Sequence, residues 1–297
     1  VLTPYNMSDY YKFNTNYNIK YKYGVSVKPK LTFIPFHNIF YDAIFCGSEY
    51  EKELLKVYAP TYNIGNLKFV DFKRKCVSAK PVLLYLPTYG NYSSIEIVVN
   101  QLKKLKEKYY IITKIHHGTS FLIDEKQRME EIKAVSDECY DQSVELTKLL
   151  EKATIVLSDN SGAIFEAIYA SVPAAVFSNN KDLNFGDLEP LQYKLINERI
   201  IPYTNDVNKI GDIVALATSK TVKKSQRELR EKMFPLKNEN LISNFLKVIN
   251  NFLGDFEETD YKKLHKAVAN DYLNQFQENI NLKAYFRFFL IFLIFLI

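Results

Sequence analysis

TIVLSDNSGAIFEAIYASVPAAVF, residues 154–177, reads as strand, polar turn, helix and strand in succession. Residues 154–157 are a short apolar run rich in β-branched side chains, the pattern of a buried parallel strand. A small polar turn follows, Ser158-Asp159-Asn160-Ser161-Gly162. Ala163, Ile164, Ala167 and Ile168 then recur at helical spacing. From Val172, through Pro173, to Phe177 the chain returns to strand character. A strand that feeds a Ser/Asp/Asn/Gly turn and then a helix makes an anion site. The first amides of the helix have no intrahelical acceptor, and the hydroxyls add donors. Gly162 lets another backbone or a ligand come close. The same turn also reads as an ordinary N-cap in a βα loop, with Asp159, Asn160 or Ser161 as the cap. On the turn alone both readings stay open.

Working outward, strand and helix patterns alternate. Strands are expected over 82–86, 110–115, 154–157 and 174–177, and helices over 95–108, 142–152 and 163–170. Alternation at this spacing predicts a parallel sheet covered by helices on both faces. Such sheets bind ligands at the carboxyl ends of their strands. Three polar clusters fall at those ends: Pro87-Thr88-Tyr89, His116-His117-Gly118 and the 158–162 turn. Amphipathic stretches over 207–218, 223–233 and 240–252 are expected to close this domain. Residues 1–75 are aromatic-rich, with strand-like runs at 31–36 and 43–46 and a helix at 48–57. The reading gives the remainder of a first α/β domain over 1–78, a second domain over 79–254, and a polar, helical tail over 255–297.

A chain of 297 residues holds two domains or one large one, and 22 Tyr with 21 Phe supply a core. The net charge of +5 is mild. Lys and Arg are scattered, as in LKKLKEK at 102–108, and do not alternate with stacking aromatics, which argues against nucleic-acid binding. Mild basicity permits anionic partners and selects none of them. Cys46, Cys76 and Cys139 have no metal-ligand or CxxC spacing and fit a reducing compartment. His116 and His117 are adjacent, so their side chains point apart, and no metal site is expected. No signal peptide is visible. The opening Val1-Leu2-Thr3-Pro4-Tyr5 reads like a strand leaving an existing domain, so the sequence is expected to lack an N-terminal portion. Its end, FFLIFLIFLI at 288–297 behind Lys283 and Arg287, is too short to span a membrane. It reads as a truncated membrane segment, a shallow anchor, or an artefact of a low-complexity coding region.

Several segments along the chain resemble the CDP-glycerol glycerophosphotransferase family, which builds and primes teichoic acids and related phosphodiester polymers. Ser158, Asp159, Ser161, Phe165, Glu166 and Pro173 match its Ser-Asp-Tyr-Ser-Ser turn and the helix and strand behind it, with Asn160 and Gly162 replacing the commoner Tyr and Ser. Leu84-Tyr85-Leu86-Pro87-Thr88-Tyr89 is similar to its Tyr-Ala-Pro-Thr strand end, and Lys114-Ile115-His116 to its Lys-Leu-His strand end. Residues 21–55, with Asn38 and Tyr41-Asp42, resemble its Tyr-X-Tyr-Gly stretch. Gly65-Asn66 resembles its Gly-Asn-Pro-Arg element, with Leu67 and Lys68 in the last two places.

The resemblance implies a GT-B fold of two facing Rossmann-type domains with parallel sheets, the first partial and on the acceptor side. It implies transfer of an alcohol phosphate, from glycerol or a related polyol, out of a CDP-activated donor to a hydroxyl of a surface polymer or lipid-linked acceptor. CMP leaves, and no cofactor is needed. By the same resemblance His116 contacts the donor diphosphate, and Ser158, Ser161 and the Gly162 amide hold it. Asp159 either orients the loop or bonds hydroxyls of the donor. Thr88 lines the cleft, and Glu166 is a donor ligand or simply an acid near a helix start. The location implied is cytoplasmic, with peripheral residence at the inner face of the membrane. His117-Gly118-Thr119 spells the family's acceptor-side His-Gly-Thr but lies in the donor half, so that role is not carried over. His37 reads as structural. Two rivals remain. One is a nucleotide-sugar glycosyltransferase or UDP-N-acetylglucosamine 2-epimerase-like enzyme, whose Ser-Asp-Ser-Gly-Gly turn is near to this one, although Glu166 has no adjacent second acid. The other is a degenerate, non-catalytic binding subunit.

Overall fold

The computed structural model describes residues 2–3, 18–22, 24, 25, 38, 41–75, 80–116, 125–178 and 191–254. The first sheet is built from β1 (Leu2–Thr3), β2 (Ile19–Tyr21), β3 (Ala43–Cys46), then helix α1 (Glu49–Leu55), then β4 (Thr61–Asn63). Its strands lie side by side in the order β1-β2-β3-β4, all parallel. α1 covers one face, its Leu55 sharing a core with Tyr41, Ile44 and Ala59.

The second sheet follows the alternation read from the sequence. It comprises β5 (Val82–Leu86), α2 (Ile95–Leu105), β6 (Tyr110–Lys114), α3 (Glu125–Val135), β7 (Glu138–Tyr140), α4 (Leu146–Lys152), β8 (Ile155–Ser158), α5 (Ala163–Tyr169), β9 (Ala174–Phe177), α6 (Leu191–Asn197) and β10 (Tyr203–Thr204). Three helices complete the described chain: α7 (Ile210–Ala217), α8 (Lys220–Met233) and α9 (Leu241–Gly254). All six strands are parallel, in the order β10-β9-β8-β5-β6-β7. Side chains alternate across this sheet as the pleat dictates. Val82, Leu84 and Leu86 of β5 enter one core with α4, α5 and α6. Leu83 and Tyr85 enter the other with α2 and α7.

Two expectations need adjusting, and two lie outside the described residues. The helix expected from residue 142 starts at Leu146, because the Asp141 carboxylate accepts the Ser143 N–H at 2.8 Å and closes a local turn first. The stretch over 240–252 reaches both sheets, since Leu241 at its start is buried in the core of the second. Its Phe245, Val248 and Phe252 pack on Phe45 and Tyr62 of the first sheet, the rings of Phe245 and Phe252 lying 6.2–6.3 Å from those of Phe45 and Tyr62. The expected strand at 31–36 and the tail at 255–297 lie outside the described residues. No described helix is long and apolar enough to cross a membrane.

Gly65 joins the two halves. Its φ is +74°, and a Cβ there would come within 2.2 Å of Leu241 Cδ2. Gly90 shares the left-handed backbone (φ +64°), but a Cβ would meet nothing within 4 Å. The pair separates strain from crowding. Gly90→Ala is expected to cost about 1–2 kcal/mol. Gly65→Ala adds the displacement of Leu241 and costs about 2–5 kcal/mol. Urea unfolding of both variants, with the midpoint shifts compared at a common slope, checks the difference.

Candidate functional site

The order of the second sheet reverses between β5 and β8, because the chain runs outward from β5 to β7 and then returns to β8. At such a switch point the βα loops diverge and leave a crevice at the carboxyl ends of the strands. The loops at 87–94 and 158–162 leave β5 and β8 there, and His116 follows β6 on the same edge. Residues 87–89, His116 and the 158–162 turn therefore share one edge of one sheet.

Asp159 ties two of these loops together. Its carboxylate is fully buried. Oδ1 accepts the Thr88 N–H at 2.8 Å, and Oδ2 accepts the Ser94 N–H at 3.1 Å and the Ser94 hydroxyl at 3.0 Å. Ser94 is held in turn by the Tyr85 hydroxyl at 2.7 Å, and the Asp159 carbonyl accepts from Gln192 at 3.3 Å. Burial pushes the carboxyl up to about 7, and the hydrogen bonds from Thr88 and Ser94 hold it from rising further. The loop-orienting alternative for Asp159 is the one this geometry fits. A fully buried side chain held by three donors has no oxygen turned to solvent.

The neighbours divide into those that hold the turn and those that face outward. The Ser158 hydroxyl is buried and donates to the Leu86 carbonyl at 2.7 Å, so it pins β8 to β5 and has no proton left for a phosphate. Asn160 is tied to Ser178 at 2.8 Å. Ser161 is half-buried, and its Oγ accepts the Ala163 N–H at 3.3 Å, leaving its own proton to donate. Thr88 is buried. His116 is half-buried and stacks on Tyr89, with centroids 4.6 Å apart and planes 24° from parallel. Tyr89 is 40% exposed, so this pair borders the crevice. Among the described residues no group of three or more His, Cys, Asp and Glu is arranged to hold a metal ion. His37 and His117 lie outside the described residues.

Gly162 and Glu166 look toward the first sheet. A Cβ on Gly162 would lie 2.9 Å from the Val25 carbonyl oxygen, so the glycine allows the loop after β2 to rest against the start of α5. Glu166 Oε1 pairs with Lys68 Nζ at 3.2 Å, across 98 residues of sequence. Lys68 is the residue that stands where the resembling family carries Arg.

Glu51 belongs to this junction and was not singled out in the sequence. Ser48 caps α1 by accepting the Glu51 N–H at 3.2 Å, and Glu51 Oε2 accepts from the Gly47 N–H at 3.3 Å and the Ser48 hydroxyl at 3.0 Å. The Ser-X-X-Glu spacing of a capping box was its signal. Burial raises the Glu51 carboxyl above the ordinary range, and the nearby Lys22 ammonium opposes that rise.

No family model and no curated protein sequence matches the chain. Solved structures do. The wall teichoic acid polymerase TagF superposes with a TM-score of 0.58 at 14% identity, over 82% of this chain and 70% of that one. A putative UDP-N-acetylglucosamine 2-epimerase from Listeria monocytogenes gives 0.54 at 13% identity, over 86% and 74%. Arabidopsis thaliana UGT89C1 complexed with UDP-L-rhamnose gives 0.52 at 10%, over 80% and 67%. At these identities the likeness establishes a shared fold: the chain is an α/β protein of GT-B type, with two Rossmann-type parallel sheets.

Proposed function

We propose that this protein transfers an alcohol phosphate from a CDP-activated donor to an acceptor hydroxyl, at the carboxyl edge of the second sheet. The observation that carries the reading is the convergence of the Tyr89–His116 stack and the 158–162 turn at the β5/β8 switch point. The motif resemblance at Leu84–Thr88, Lys114–His116 and Ser158–Pro173 supplies the substrate class, and the fold shared with a teichoic acid polymerase agrees with it.

In this reading the acceptor oxygen attacks the donor's alcohol-bearing phosphorus. A new P–O bond forms there, the P–O bond to the CMP oxygen breaks, CMP departs, and the acceptor proton goes to solvent or a base. Little covalent chemistry falls to the protein, so positioning and charge stabilisation carry the rate. His116 donates a proton or hydrogen bond to the oxygen that takes charge as CMP leaves. The Ser161 hydroxyl and the Gly162 amide bind the diphosphate. Asp159 and Ser158 hold the two loops in register.

A donor screen tests the proposal. CDP-glycerol or CDP-ribitol at about one hundred times its Kd is expected to raise the melting temperature by about 5–10 °C. A response confined to UDP-sugars favours a nucleotide-sugar enzyme, the reading that the epimerase and UGT89C1 folds support. No response to any donor favours the non-catalytic subunit. Ser161→Ala is expected to weaken donor binding by about 1–2 kcal/mol, the scale of one charge-assisted hydrogen bond, as calorimetric titration would read it. Unchanged affinity in a folded variant removes Ser161 from the site.

A further inference from the structure

α3 has the sequence EKQRMEEIKAV and buries Ile132 and Val135 in the core that it shares with α2. Arg128 stands four residues before Ile132, so it lies on that inward face, one turn nearer the start of the helix. Its side chain is only 20% exposed. Nε donates to Glu96 Oε1, in the first turn of α2, at 2.6 Å, and Nη1 donates to the Gly90 carbonyl at 3.2 Å. A planar guanidinium held at two points has a fixed direction. Gly90 is the residue after Tyr89, near the middle of the 87–94 loop. Asp159 fastens that loop from inside at Thr88 and at Ser94. Between those points Gly90 turns through the left-handed region, and Tyr89 and Tyr92 are exposed. The middle of the loop is thus fastened from outside, by the next described helix after His116.

We infer that Arg128 is a positioning residue: by holding the Gly90 carbonyl it sets the Tyr89 ring against the His116 imidazole and keeps the pair at the border of the crevice. Without the guanidinium the loop keeps both ends, through Asp159, and loses the hold on its middle. Tyr89 then has no fixed place beside His116. A backbone carbonyl one residue from the ring leaves little slack, so a single hydrogen bond suffices to set the ring's position. Folding as a whole depends little on the brace, because the Glu96 carboxylate that orients it is 61% exposed. Arg128 therefore acts on the site through Tyr89 and touches neither the imidazole nor a ligand. That the stack acts on a donor phosphate rests on the transfer reaction proposed above; the bracing of the stack does not.

The test reads the stack directly, by NMR of the full chain. The His116 ring protons, assigned by their loss in His116→Ala, are expected upfield of a free imidazole's, because the Tyr89 ring lies over them. Tyr89→Ala should abolish that shift. Arg128→Ala is expected to abolish most of it while the melting temperature stays within about 4 °C of the parent's. Arg128→Lys keeps the charge without the fork and is expected to behave as Arg128→Ala does. With CDP-glycerol as donor, turnover by Arg128→Ala is expected to fall about tenfold while the donor Kd moves by about threefold or less. Unmoved His116 signals in Arg128→Ala overturn the brace, and so does full recovery by Arg128→Lys. A donor Kd that weakens as much as turnover falls also overturns it, since Arg128 would then be a phosphate ligand. A His116 shift lost as expected, in a chain whose parent turns over no CDP donor, leaves the brace standing and sinks the transfer reading.

Discussion

Replacing His116 with alanine is expected to lower turnover by about 100-fold or more while the donor Kd moves by about threefold or less. The expectation comes from where the imidazole sits. It borders the crevice at the end of β6, one strand from the switch point, and the Tyr89 ring lies against its face at 4.6 Å. A donor held there meets an oxygen that gains charge only as its bond to phosphorus breaks. Its contribution therefore falls on the transition state more than on the bound ground state. Tyr89→Ala removes the ring that orients the imidazole and is expected to lose about 10-fold in the same direction. Single-turnover rates and equilibrium donor titrations, run side by side, separate the two quantities. An equal loss in both would reduce His116 to a simple binding group.

Asp159→Ala is expected to cost about 2–4 kcal/mol of folding stability. The Thr88 and Ser94 amides lose their acceptor, while the Ser94 hydroxyl keeps the Tyr85 hydroxyl at 2.7 Å. Two buried N–H groups without acceptors account for the range. Amide exchange at Thr88 and Ser94 should quicken in the same variant, since the loop they anchor is released. Asp159→Asn adds a test by pH. The folded-state carboxyl sits near about 7 and the unfolded one near 3.8. Between those values the folded chain binds more protons at this site than the unfolded chain does. The contribution is full below the unfolded value and is lost as pH rises through the folded one. Asn does not titrate. The stability of the parent relative to Asp159→Asn should therefore fall by about 1.4 kcal/mol per pH unit within that window and level off above it. A difference that stays flat from pH 4 to 7 would mean that the buried carboxyl keeps its charge throughout.

Parts of this molecule are written locally and parts are not. β5, β8 and β9 were legible because strands buried on both faces are unbroken apolar runs: VLLYL, IVLS and AAVF. β2, β4 and β7 were not, since IKY, TYN and ECY are short and carry polar residues, Lys20 buried and Asn63 and Glu138 partly exposed. α3 buries Ile132 and Val135 and is otherwise polar, so its sequence shows little periodicity. α9 was legible as an amphipathic helix, but its partner was not, because nothing near Phe245 names Phe45 as its neighbour. The site divides in the same way. The strand-end clusters were visible as polar residues after apolar runs. The use of Asp159 and Ser158 as internal ties was hidden, because their partners lie 65–72 residues away. The capping-box spacing marked Glu51 as a helix start, but its place against α5 depends on how the two sheets meet.

The chain leaves the first sheet near residue 70, builds the second, and returns through 234–240 to lay α9 back on the first. A protease that nicks either passage would leave two pieces still clasped by Phe45, Tyr62, Phe245 and Phe252. A piece expressed from residue 80 to 254 would carry the Phe face of α9 bare and would be prone to self-association. Exchanging or duplicating either lobe alone would leave this apolar surface bare, so the two lobes are expected to be kept together.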